Sequence, residues 1–104
     1  METDTLTRIK RAVLAGRYIL TDKANTELDA DGLSILDVIE AVVDAGRIRK
    51  SIRSTRPSGP GRRDRLYVIL GRNLSGTAIY SKGKLSATED GEVWYVLISA
   101  KRAL

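Results

Sequence analysis

The chain has 104 residues, 42% of them hydrophobic and 30% charged, the balance of one folded domain over 1–104 rather than a disordered segment. It contains no cysteine and no histidine, which excludes disulfide staples and thiol nucleophiles, leaves zinc without its usual ligands and restricts proton transfer to carboxylates, lysine and tyrosine. The net charge of +5 hides a split. Residues 21–46 hold one lysine against seven acids, a net −6, and residues 47–84 hold eleven lysines and arginines against Asp64 alone, a net +10.

Residues 4–15 read as a helix. Asp4 or Thr5 caps it, Leu6, Ile9 and Val13 share one face, and Gly16 suits the position just past its end. Arg17 to Leu20 fit a short strand. Thr21 or Asp22 caps a second helix through about Leu28, broken near Gly32. Residues 35–45 form a third helix, with Ser34 as cap and Asp37 as its acidic partner. Ile35, Leu36, Ile39, Val42 and Val43 are its expected buried stripe, and Gly46 its end.

The apolar period then changes from 3.6 to 2. Arg47 to Thr55 read as a strand and residues 56–63, RPSGPGRR, as a loop. Arg65 to Gly71 form an apolar, central strand, followed by a turn at Asn73 to Gly76. Thr77 to Lys82 are the next strand, with Lys82-Gly83-Lys84 as a tight turn. After a Glu89-Asp90-Gly91 turn, residues 92–101 make the last strand. Helices first and a strand meander after them predict an α+β fold, with N-terminal helices packed on one face of a curved, mainly antiparallel sheet.

Alternation sorts the strand residues between faces. Arg47, Arg49, Ser51 and Arg53 share one face, opposite Ile48, Lys50 and Ile52. Ala78, Tyr80 and Lys82 go together. In the last strand Trp94, Val96, Ile98 and Ala100 are expected in the core, and Tyr95, Leu97, Ser99 and Lys101 on the opposite face. A sheet with helices on one face and Tyr, Lys and Arg on the other has the chemistry of an RNA-binding platform.

No apolar run approaches the roughly 18 residues that span a bilayer. METDTLTRIKRA lacks the apolar core of a signal peptide. A cytoplasmic chain with no membrane contact is therefore expected. Neither a Walker loop nor a GxSxG elbow is present. The carboxylates of the early helices read as a solvated face rather than as a metal site or an acid–base pair. The +10 segment attracts polyanions, and its guanidinium groups suit bidentate phosphate contacts. Arg49, Arg53, Arg62, Arg63 and Arg65 are the candidate phosphate contacts, and Tyr80, Lys82 and Tyr95 the candidate platform residues. RNA brings its own nucleophile, the 2′-OH, so cationic side chains that hold the phosphate and move protons suffice for cleavage without a metal or other cofactor.

TLTRIKRAVLAGRYILT, DGLSILDVIEAVVDAG, IRKSIRST and, more weakly, RLYVILG and LISAK resemble the RelE-like superfamily of bacterial type II toxins, nearest to its MqsR-type mRNA endoribonucleases. The resemblance implies a RelE-like α+β fold and cleavage of mRNA, free or on the ribosome. It also implies a cognate antitoxin, often one with a zinc-binding domain. Carried over residue by residue, it assigns catalysis to Lys50, Tyr67 and Lys101. The alternative is a non-catalytic RNA-binding or protein-interaction module of the same fold.

Overall fold

The computed structural model describes the backbone of residues 2–57 and 63–103. In chain order it gives α1 (Glu2–Leu14), β1 (Tyr18–Leu20), α2 (Asp22–Asp31), α3 (Ile35–Asp44), β2 (Lys50–Pro57), β3 (Arg63–Arg72), β4 (Ala78–Ala87) and β5 (Val93–Arg102). The architecture is the expected α+β: three helices against one open five-stranded sheet of order β1-β5-β4-β3-β2. β1 runs parallel to β5, and every other pair is antiparallel. No helix among the described residues is long and apolar enough to cross a membrane.

Helix α1 buries Leu6, Ile9 and Val13 as its period predicts, together with Ala12. Gly16 follows it at φ +78, a conformation that costs glycine least. The hydroxyl of Thr21 accepts the Ala24 N–H and starts α2, which runs past Leu28 to Asp31. It ends there because Gly32 takes the left-handed conformation at φ 66 and returns its N–H to the last turn. Helix α3 opens with a reciprocal capping box between Ser34 and Asp37.

The stripe of α3 is rotated from the expected one. Val38, Ala41 and Val42 are buried, with Ile35 and Ile39 packed beside them, whereas Leu36 is 59% and Val43 38% exposed. Seven of the ten residues are apolar, so periodicity alone leaves the phase open. The sheet fixes it: Gly71 lies so close to α3 that a β-carbon there would collide with the Ala41 carbonyl.

Two strand expectations are also corrected. Lys82-Gly83-Lys84 is not a turn, because β4 continues to Ala87. Gly83 is there to admit the Tyr95 ring, since a β-carbon would sit 2.5 Å from its Cζ. The reversal comes later, at Thr88 to Gly91, where Gly91 donates to the Thr88 carbonyl at 2.9 Å. The first half of β5 is inverted relative to the expected faces: Tyr95 and Leu97 are each 1% exposed and lie in the core, and Trp94, Val96 and Ile98 are half-buried. Past the register shift at Ile98 the expected faces hold, with Ala100 in the core and Ser99 and Lys101 opposite. The run WYVLIS is apolar at both parities, so alternation within it has nothing to discriminate. Pairing with β4 does discriminate, by setting Leu97 opposite Gly83 on the helix side.

Candidate nucleic-acid interface

The register assembles the face that the helices leave open. Directly paired residues share a face. One row therefore runs Lys50, Val68, Lys82 and Ser99 across β2, β3, β4 and β5. The next runs Leu70, Tyr80 and Lys101. On the same face, beyond the first row, lie Ile52 with Leu66, and Lys84 with Val96 and Ile19. Lysines are thus interleaved with apolar side chains. Val68 is buried although no helix covers this face, in keeping with long lysine stems lying over apolar surface.

Lys50 and Lys82 are two strands apart, about 10 Å, and Lys50 and Lys101 three strands apart, about 14 Å before the register step is added. The Lys101 ammonium lies 5.4 Å from the centroid of the Tyr80 ring. A shift in register between Lys82 and Gly83 marks a bulge in this ladder, a feature that re-aims side chains. Lys84 donates to Asp64 at 2.6 Å, the only ion pair between described residues on this face.

Not every predicted residue joins the group. Tyr67 pairs with Gly83 and Ser51, on the helix side, and packs half-buried against the core. It is therefore separated by the sheet from Lys50 and Lys101, which corrects the expected trio. Tyr95, expected on the RNA-facing side, is a core residue whose hydroxyl meets no hydrogen-bond partner among the described residues. Burial pushes that phenol well above the ordinary tyrosine range, and the neighbouring Ser81 side chain offsets this only in part.

Arg53 and Arg65 are exposed but sit directly opposite each other on the helix-side face of the sheet. Arg49 is exposed just before β2, where its N–H donates to the Val68 carbonyl at 2.8 Å. Arg62 and the Arg63 side chain lie outside the described residues. Trp94, placed in the core by the sequence reading, belongs to the open face opposite Ser86. Counting back from the Gly91 turn to the Tyr80–Lys82 face of β4 is the signal that would have placed it there.

The acidic helices have a specific task. In α2, Glu27 accepts the Ser99 hydroxyl at 2.6 Å and the Ala100 N–H at 3.1 Å, and Asp31 accepts the Arg102 N–H at 2.8 Å. In α3, Asp44 accepts the Arg72 N–H, Glu40 the Leu74 N–H and Asp37 the Asn73 side chain. These carboxylates tie the helices to strand ends rather than forming a solvated face. Burial pushes Glu27 up, but Ser99, Ala100, Lys23 and Lys101 outweigh it and hold the carboxyl below its ordinary value. Asp37 is lowered chiefly by the Ser34 N–H and the Asn73 amide. No three carboxylates among the described residues converge as a metal site.

No family model, curated protein or solved structure matches the chain.

Proposed function

We propose that this protein binds RNA on the open face of its sheet and cleaves it as the mRNA endoribonuclease of a type II toxin–antitoxin pair. One observation carries the binding: Lys50, Lys82, Lys101 and Tyr80 lie on the same uncovered face. The cleavage rests on the sequence resemblance. In that step the RNA 2′-OH attacks the adjacent phosphorus while the bond to the 5′ oxygen breaks. The 2′-OH proton is removed and the leaving 5′ oxygen is protonated. The lysines hold the phosphate and neutralise its added charge. The partners in this reading are mRNA, free or on the ribosome, and an antitoxin in the cytoplasm.

A second reading, RNA binding without cleavage, is favoured by the position of Tyr67 across the sheet from the lysines. Inducible expression in a bacterial host separates the two, with the Lys82→Ala/Lys101→Ala double variant as control. Growth arrest with fragmented mRNA, absent in the folded double variant, is the expected result. Normal growth and intact mRNA at good soluble expression would reject the toxin and leave the binding protein.

A further inference from the structure

We infer that Trp94 is a base-stacking residue of this face and that the RNA it takes is single-stranded. The inference rests on the RNA-binding reading and adds to it a residue and a substrate class.

Trp94 pairs with Ser86 on β4, six residues from Tyr80, and even spacing keeps both on the open face. The two aromatics are then about 20 Å apart along the strand direction. Lys82 and the Asp64-paired Lys84 lie between them, and Lys50 flanks Lys82 across β3. The indole Nε1–H donates to Glu92 Oε1 at 2.8 Å, which fixes the ring's orientation before any ligand arrives. At the other end Lys101 lies over Tyr80. An indole, a line of ammonium groups and a cation-capped phenol form a track on which a base stacks at one end while phosphates follow the lysines.

Such a track selects the substrate. A base can stack on an indole only when its face is free, and in a duplex the faces are covered by neighbouring bases. Stacking is also tolerant of sequence, because every base has a π-face. The face is therefore a reader of unpaired strands with little base preference of its own.

Trp94 is the only tryptophan in the chain, so its fluorescence reports this one position. The probe is a short 2′-O-methyl oligoadenylate, which lacks the nucleophile for cleavage, alone or annealed to its complement. Binding is followed in parallel by the anisotropy of a dye on the oligonucleotide. The expected result is quenching of Trp94 by the single strand and not by the duplex. Trp94→Leu should bind the single strand about tenfold more weakly with an unchanged circular dichroism spectrum. Binding by anisotropy with unquenched Trp94 would overturn the inference and leave the RNA-binding reading standing, and equal quenching by the duplex would overturn the single-strand assignment. Absence of binding by anisotropy would reject the RNA-binding reading itself, and the inference with it. If Trp94→Leu does not fold, Trp94→Phe keeps a ring for packing and stacking, and the quenching measured on the native chain decides alone.

Discussion

At the scale of single residues, glycines and one phenol define how closely the layers approach. Gly71 and Gly83 are strand residues whose missing side chains make room for the α3 backbone and for the Tyr95 ring. Gly83→Ala should cost about 2 kcal/mol, the usual penalty of forcing one extra carbon into a packed site, read from the urea midpoint. Tyr95 is the opposite case. Its ring fills the core, but its hydroxyl is buried beside Ser81, whose own hydroxyl donates to the Ile69 carbonyl. It makes no hydrogen bond of acceptable geometry among the described residues, which is costly in a low-dielectric interior. Tyr95→Phe keeps the ring and removes the orphaned group. A gain of about 1 kcal/mol in unfolding free energy is expected, and a loss of similar size would mean that the hydroxyl is satisfied.

At the scale of elements, the link between helices and sheet is made by carboxylates matched to strand geometry. Glu27 and Asp31 are one helical turn apart, about 6 Å, and they serve Ala100 and Arg102, two strand residues and about 7 Å apart. Helix α2 thus takes the place of a neighbouring strand along the end of β5. The folded-state pKa values of Glu27 and Asp37 lie below their ordinary values of 4.5 and 3.8. Their stabilisation is therefore complete above those values and is lost as pH falls through the lower, folded ones. Urea midpoints should hold near neutrality and fall below about pH 4.5, and Glu27→Gln should flatten that decline. An acid decline unchanged in Glu27→Gln would remove this residue from the linkage.

The same elements show what could be read in advance. Caps at Thr21 and Ser34, the Gly16 and Gly91 breaks and the change of period placed all three helices and all five strands. Those signals are local. The phases of α3 and of the first half of β5 were not legible: the acidic stripe Asp37, Glu40 and Asp44 of α3 turns to the Arg72–Leu74 segment instead of to water, and residues 93–98 are apolar at both parities. Tyr80, Lys82 and Tyr95 rest on alternation and Lys50, Tyr67 and Lys101 on the resemblance; Lys50, Tyr80, Lys82 and Lys101 share one face, while Tyr67 and Tyr95 lie on the other. For an isolated strand, alternation says which residues travel together and not which face they take.

At the scale of the molecule, the two charge segments have separate places. Acidic α2 and α3 lie behind the sheet, with five of their carboxylates occupied by strand-end and turn groups, and the lysines stand in front. The field of the open face therefore stays positive, which suits capture of a polyanion. The basic segment nevertheless divides between faces, since Arg53 and Arg65 oppose each other on the helix side. Like charges held directly opposite are unfavourable for the fold. This division makes the salt dependence of RNA binding diagnostic. Each phosphate contact to a single strand contributes about 0.7 to the slope of log K against log salt. Lys50→Ala/Lys82→Ala should weaken binding and lower that slope by about 1.4, since both contacts are on the open face. Arg53→Ala/Arg65→Ala removes the same charge from the other side and should leave the slope near its native value. Equal reductions in the two variants would mean that RNA senses only the net charge of the chain, and the open face would lose its claim to be the binding site.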